Sequence, residues 1–213
     1  RGLGDVYKRQ LLSKTGQNKY TGELKGHRRD GCIIHVDTEQ GRFHAQRMFR
    51  RSIDMNESNT ELGCYHTYAL RSYGYKTRLE WIDWKLKQLF EVEERTIDVV
   101  MIDGIADLCA DANDINSSRE VVECLMRWTE KYNCALITVI HSNIGSKKAT
   151  GHLGSFLGKK AETILHLDAV PDDDQYTKEA ECLFSRNTSI KEPIQYRINR
   201  YGKPYILGGD TDN

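Results

Sequence analysis

The sequence has no long apolar run, no excess of charge of either sign and no paired cysteine motif. No apolar segment approaches the ~20 residues that a membrane-spanning helix needs, so we expect a soluble, cytoplasmic protein without a membrane partner. Lysine plus arginine and aspartate plus glutamate number 31 each. The overall charge therefore gives no argument for nucleic acid, and any such contact must come from local patches.

The six cysteines are scattered, with no CxxC pair and no histidine at ligand spacing. This pattern argues against a zinc site and against a disulfide framework. Several cysteines lie inside apolar segments, which is typical of reduced, buried thiols in a cytoplasmic protein.

At 213 residues the chain is long enough to bury one substantial core. Residues 1–10, RGLGDVYKRQ, lack an initiator methionine and resemble translated adapter sequence from assembled environmental DNA. We expect them to be an assembly artefact and the natural chain to continue upstream. The prediction is one domain over residues 11–207 and a short tail at 208–213.

Three apolar runs each stop at polar residues. Residues 98–108, DVVMIDGIADL, carry four apolar side chains directly up to an aspartate. Residues 31–40, GCIIHVDTEQ, and 134–143, CALITVIHSN, follow the same pattern. An apolar run without period-two alternation predicts a strand covered on both faces, as in a parallel sheet flanked by helices.

Helical patterns alternate with these strands until near residue 160. Residues 41–55 and 76–94 predict helices, and residues 119–132 predict a third that a capping box at Ser117 and Glu120 begins. A glycine- and lysine-rich loop is predicted at residues 142–154. Further strands are predicted at 64–73, 161–170, 180–188 and 193–200. The order predicts an α/β fold, a mostly parallel sheet flanked by helices with antiparallel strands at its C-terminal edge.

Glu39, Asp103 and His141 each follow one of three predicted strands. A parallel sheet brings the carboxyl ends of its strands to one edge, where ligands of open α/β sheets bind. Such an edge suits a magnesium ion and an attacking water. Each residue also has an ordinary interpretation: Glu39 beside a helix cap, Asp103 in a turn, and His141 as a core histidine.

Four segments in order resemble the RecA-like ATPase core of the RepA-type hexameric replicative helicases of plasmids and mobilisable elements. They are HVDTEQGRFHAQRMFRR, VVMIDGIADLCADANDINSSREVV, CALITVIHSN and GHLGSFLGKKAETILHL. The resemblance covers roughly residues 11–207. It implies a RecA-like P-loop NTPase core in an ATP-dependent DNA helicase, which binds ATP and Mg²⁺ between subunits and works as a ring, a hexamer, on single-stranded DNA.

The resemblance also implies a role for each candidate residue. Asp103 matches the Walker B aspartate that holds the magnesium ion through water, and Glu39 matches the catalytic glutamate that orients water onto the γ-phosphate. His141 matches the sensor that couples the γ-phosphate to the following loop. Arg186 matches the arginine finger that reaches the neighbouring subunit's nucleotide; many relatives have a lysine two residues earlier, where this chain has Phe184.

The loop at residues 142–154 corresponds to a family segment that faces the central channel. Lys147 and Lys148 would contact the phosphates of a single strand there, which gives sequence-independent, salt-sensitive binding. The alternative is an ordinary solvated loop.

Other functions stay open. They are a RecA- or KaiC-like regulatory or recombination ATPase without unwinding activity, a non-catalytic interaction module of the same fold, and a metal-dependent nuclease that uses Glu39 and Asp103. Strand-displacement assays separate the first from a helicase. An open reading frame directly upstream that encodes GxxxxGK[ST] would favour an enzyme over an interaction module.

We predict that this chain hydrolyses ATP poorly or not at all. It lacks GxxxxGK[ST], whose backbone amides and lysine hold the β- and γ-phosphates, and Lys14-Thr15 is preceded by Ser13 without a glycine loop. By the family's order this motif belongs upstream. A phosphate-release assay on the purified chain checks the prediction. Magnesium-dependent turnover that Glu39→Gln abolishes would contradict it.

Overall fold

The structure, a computed structural model, describes residues 31–54, 64–171, 173, 175–187 and 192–207. The predicted artefact at residues 1–10, the pair Lys14-Thr15 and the tail at 208–213 lie outside these ranges. The described residues belong to two compact units. Of the described residues, 31–46 and 64–160 form the first, the parallel unit, and those within 47–54 and 161–207 form the second, the antiparallel unit.

The parallel unit is built on a four-stranded, all-parallel sheet of order β2-β1-β3-β4. All six residues of β1 are buried, and the apolar residues of its neighbour β3 are buried too. This burial confirms two of the three strands predicted to be covered on both faces. The third, Ala135–Val139, is a strand, but it is half-buried with both end residues exposed, so the prediction of cover on both faces is wrong for it. The strands are β1 (Cys32–Asp37), β2 (Tyr65–Ala69), β3 (Ile97–Asp103) and β4 (Ala135–Val139).

Helices connect the strands, as predicted for an α/β fold. They are α1 (Arg42–Asp54), α2 (Tyr75–Lys87), α3 (Ile115–Tyr132) and α4 (Gly151–Lys160), of which α4 was not predicted. A π-helix, Gln88–Val92, continues α2, and a 3-10 turn, Ile105–Leu108, follows β3. Within the described ranges, no helix has both the length and the apolar character needed to cross a bilayer.

Helix α3 supplies the centre of the core. One face of α3, formed by Val121, Leu125, Trp128 and Tyr132, is buried, and the Trp128 indole donates a hydrogen bond of 2.6 Å to Oδ1 of Asp83. A buried indole N–H needs such an acceptor, because leaving it unsatisfied costs stability. The hydrogen bond therefore ties α3 to α2 through the core.

The predicted capping box at Ser117 is wrong, because α3 begins before Ser117. Asp114 is the N-cap, and its Oδ1 accepts a hydrogen bond of 2.7 Å from the Ser117 amide. The Ser117 hydroxyl instead accepts a hydrogen bond from the Ala110 amide, at 3.0 Å. Aspartate caps as well as serine, so the sequence offered two equivalent starts and the earlier one is used.

The predicted loop at residues 142–154 ends earlier than expected, because α4 begins at Gly151. Gly151 has φ +70°, and a Cβ there would lie 2.4 Å from the Ala112 carbonyl oxygen. The glycine thus permits close packing of the helix start on the segment before α3.

Two large apolar residues of the predicted helices are exposed. Phe43 on α1 is 70% exposed, whereas Met48 and Phe49 of the same helix are buried. Phe90 is 38% exposed, although Leu89 beside it is fully buried. It lies in the π-helix, where the wider turn shifts residues out of the α-helical stripe.

The antiparallel unit contains a second four-stranded sheet, of order β5-β6-β7-β8. Ala180 and Tyr196 are buried in it against Ile194 and Ile206. The antiparallel strands expected after residue 160 are confirmed. Within the described residues they pair with one another and form their own sheet, so the prediction that they extend the edge of the parallel sheet is wrong. The strands are β5 (Thr163–Ala169), β6 (Lys178–Ser185), β7 (Ile194–Ile198) and β8 (Pro204–Ile206), of which β8 was not predicted.

The cysteines are free thiols, and five of the six are buried. Burial raises the pKa of Cys124 and of Cys134 to about 11, since a thiolate is poorly solvated in the core. These two thiols are therefore protonated at neutral pH and behave as apolar side chains. The prediction that the thiols are buried is confirmed for these five positions.

Candidate functional site

The carboxyl ends of β1 and β3 lie side by side. Asp37 and Asp103 are register partners across the two parallel strands. Directly after β1, the Thr38 amide donates a hydrogen bond of 3.0 Å to the Asp103 carbonyl. The Thr38 hydroxyl lies 2.8 Å from the Gly104 carbonyl oxygen and 3.1 Å from that of Asp103. Backbone and side chain of one threonine thus fix the two strand ends together.

Asp37 shapes the turn that carries Glu39. Its side chain is fully buried, and Oδ1 accepts hydrogen bonds from the amides of Glu39, at 3.1 Å, and Gln40, at 2.7 Å. An aspartate that bonds the amides two and three residues ahead is a common way to fix a turn after a strand. The backbone of Glu39 is therefore held at the edge of the sheet.

Glu39 and His141 face each other at this edge. His141 Nε2 lies 3.7 Å from Glu39 Oε2, and the two side chains are 81% and 37% exposed. The contact is an ion pair only when the imidazole is protonated. His141 follows β4 by two residues, so the sheet has brought together side chains that are far apart in the chain.

Gly104, after Asp103, has φ +100°. A Cβ at this position would lie 2.5 Å from the Thr38 hydroxyl oxygen and 3.6 Å from the Cβ of Glu39. The left-handed backbone and the missing side chain allow the ends of β1 and β3 to approach. The same distances place Glu39 close to the end of β3, so Glu39, Asp103 and His141 lie at one edge of the sheet.

Arg78 on α2 holds two backbone segments next to the edge through hydrogen bonds. Its guanidinium donates to three backbone carbonyls: Leu70 at 3.1 Å, Asp107 at 2.8 Å and Arg71 at 2.9 Å. The side chain is 12% exposed. Only arginine carries enough donors in a planar fork to reach all three acceptors. It thereby connects the segment after β2 to the 3-10 turn after Gly104.

A hydrogen-bonded hairpin, residues 142–149, follows His141. Ser142 and Ala149 form a β-bridge, and the Asn143 amide donates to the Lys148 carbonyl at 2.9 Å. The His141 carbonyl accepts from the Thr150 amide at 3.0 Å and from the Thr150 hydroxyl at 2.8 Å. His141 is therefore shared between the edge, through its ring, and the base of the hairpin, through its carbonyl.

Lys147 and Lys148 lie on this hairpin, and both are exposed. Exposed cations on a hydrogen-bonded hairpin are able to contact a polyanion. Their role in DNA binding stays a prediction.

Arg186 belongs to the antiparallel unit, and it lies beside residues that precede β5. Its amide donates to the Glu162 carbonyl at 2.9 Å, and Nε donates to the Ala161 carbonyl at 3.3 Å. The guanidinium carbon lies 6.0 Å from the centre of the Phe184 ring, and the side chain is 47% exposed. The guanidinium is accessible, and its role as an arginine finger stays a prediction.

Four residues of the site were not among the predicted ones: Asp37, Thr38, Gly104 and Arg78. The first three adjoin a predicted strand end, so position alone could have marked them. Arg78 lies within a predicted helix, and no pattern in the sequence distinguishes it from the other polar and charged residues of that helix.

Binding of Mg²⁺ at this edge stays a prediction. Across the described ranges, no three or more His, Cys, Asp or Glu side chains form a group that could hold a metal ion. Magnesium commonly binds one or two carboxylates and completes its shell with water and substrate phosphates. Asp103, at a partly exposed strand end, fits the part of one such carboxylate.

Comparison with known proteins finds no family model and no curated protein that matches this chain. The function must therefore be argued from the residues at the edge and on the hairpin.

We predict that Gly104→Ala destabilises the parallel unit by ~2 kcal/mol, because alanine is strained at positive φ and its methyl group meets the Thr38 hydroxyl. Denaturant unfolding followed by tryptophan fluorescence measures this, since Trp81, Trp84 and Trp128 all lie in that unit. In the Gly104→Ala variant, Thr38→Ala should lower the free energy of unfolding by less than it does in the wild-type chain, because it removes the hydroxyl that the new methyl group meets. Additive effects of the two substitutions would contradict the proposed contact.

Proposed function

We propose that the chain is the greater part of a RecA-like ATPase core, and that the intact protein is an ATP-dependent helicase of the RepA type. It would act on single-stranded DNA during replication of a plasmid or mobile element. The observation that supports this most is the meeting of Glu39 and His141 beside the end of β3, at the edge where α/β sheets bind ligands. ATP and Mg²⁺ would supply the phosphoryl group and neutralise its charge.

Glu39 suits the task of orienting water. Its backbone is held by the Asp37 carboxylate, and its own carboxylate is 37% exposed, so a water molecule can reach it. A carboxylate in this position accepts a hydrogen bond from the attacking water and directs its lone pair. Asp103 would bind Mg²⁺ through water at the neighbouring strand end.

His141 suits the task of coupling the edge of the sheet to the hairpin. Its ring contacts Glu39, while its carbonyl holds Thr150 at the base of the hairpin. A change at the edge that moves the imidazole would also change the backbone bonds that orient the hairpin. In a ring of six subunits, as the resemblance implies, the hairpins would then move along the strand, and Arg186 would reach the adjacent nucleotide.

The hairpin carries the proposed contact to DNA. Lys147 and Lys148 would neutralise backbone phosphates, which requires no base sequence and weakens with salt. The chain as a whole has no net charge, so these lysines would act as a local patch.

A non-catalytic interaction module is the second candidate. The observation in its favour is the absence of GxxxxGK[ST] from the sequence. Such a module would keep the sheet and the hairpin, and it would bind a partner without responding to nucleotide.

We predict that Lys147→Ala and Lys148→Ala each weaken binding of the chain to a fluorescent single-stranded oligonucleotide. Each should lower the slope of log affinity against log salt by about 0.7, because one phosphate contact is lost. Fluorescence anisotropy at several salt concentrations measures both effects. Lys76→Ala, an exposed lysine on α2, is the matched control and should change neither. Equal losses in all three variants would point to non-specific attraction and contradict the proposal.

A further inference from the structure

Ile144, at the tip of the hairpin, is the most exposed large apolar side chain among the described residues. Its relative exposure is 104%, and the next highest is Tyr176 with 85%. Single exposed apolar residues are ordinary on protein surfaces. What distinguishes Ile144 is its position at the tip of a hydrogen-bonded hairpin that also carries two lysines.

Backbone hydrogen bonds hold this tip in place. The Ser146 amide donates to the Asn143 carbonyl at 3.0 Å, across Ile144, and Gly145 adopts φ +69°. Below it, the bridge between Ser142 and Ala149 closes the hairpin. Ile144 is therefore presented to solvent by a turn with defined bonds.

The hairpin combines one apolar side chain with two cations. Lys147 and Lys148 follow within four residues of Ile144, and residues 142–149 contain no acidic side chain. A partner that satisfies all three residues must offer an apolar surface directly beside anions. A single-stranded nucleic acid does so, because its unstacked bases expose their faces next to the phosphates.

Two other surfaces fit less well. In a duplex the faces of the bases are stacked on one another and only their edges are accessible. An anionic membrane also combines charge with apolar material, but one isoleucine buries too little apolar area for stable anchoring. The arrangement therefore favours a single strand.

We propose that Ile144 packs against an unstacked base of a single-stranded nucleic acid while Lys147 and Lys148 contact its phosphates. Ile144 is then the residue that makes the hairpin select a single strand over a duplex. This inference rests on the proposed function, in which the hairpin is the DNA-binding segment. To the phosphate contacts of that function it adds a contact between Ile144 and a base, which would explain a preference for single strands over duplexes.

Anisotropy titrations with three probes of equal length test the proposal: a mixed-sequence single strand, an abasic single strand and a duplex. Ile144→Ser should weaken binding of the mixed-sequence strand about tenfold, since an apolar contact is lost. It should leave the abasic strand, the duplex and the salt slope unchanged. Ile144→Leu should restore binding. Val92→Ser, at an apolar residue that is 65% exposed in the π-helix, is the matched control and should have no effect.

The outcomes separate this inference from the function on which it rests. If the lysine variants weaken binding and Ile144→Ser does not, the base contact is refuted and DNA binding by the hairpin stands. If neither weakens binding, both proposals fail. An equal loss on the abasic strand would show that Ile144 supports only the shape of the hairpin, and it would overturn the inference. Sedimentation with phosphatidylserine vesicles that Ile144→Ser abolishes would overturn it in favour of a membrane.

Discussion

The contact between Thr38 and the end of β3 is the constraint on which the candidate site depends. One amide and one hydroxyl hold the carbonyls of Asp103 and Gly104. This fixes the ends of two parallel strands at the same height. Gly104 permits the approach because it has no side chain. The turn that Asp37 stabilises then begins from a fixed point, so Glu39 reaches the edge in a defined position. Exposed carboxylates on mobile segments would not offer this preorganisation.

His141 extends this fixed edge into the hairpin. The His141 ring lies beside Glu39, and its carbonyl accepts the hydrogen bond from Thr150 at the base of the hairpin. His141 therefore gives a short physical path between the edge of the sheet and the hairpin. The path consists of direct contacts, and no long-range network is needed to connect the edge with Lys147 and Lys148. In the proposed function, this path would couple nucleotide hydrolysis to movement on DNA.

The sequence predicts the features that depend on burial and on chain order. Unbroken apolar runs identify β1, β3 and β4, and the parallel order places Glu39, Asp103 and His141 at one edge. It fails where alternatives are locally equivalent. Asp114 and Ser117 can both cap a helix, and the three glycines of α4 resemble a loop until Gly151 packs against Ala112. The bonds of Arg78 could not be predicted, because they go to backbone carbonyls of two separate segments, which leave no pattern in the sequence.

The central claim is that Glu39 acts on a nucleotide at this edge. The most direct measurement is DNA-stimulated ATP turnover by the intact protein of the proposed function, with Glu39→Gln compared to Glu123→Gln, an exposed glutamate on α3. The account predicts that Glu39→Gln lowers kcat about a hundredfold or more while single-strand affinity is kept, and that Glu123→Gln leaves both unchanged. Turnover by Glu39→Gln at the wild-type rate would contradict it.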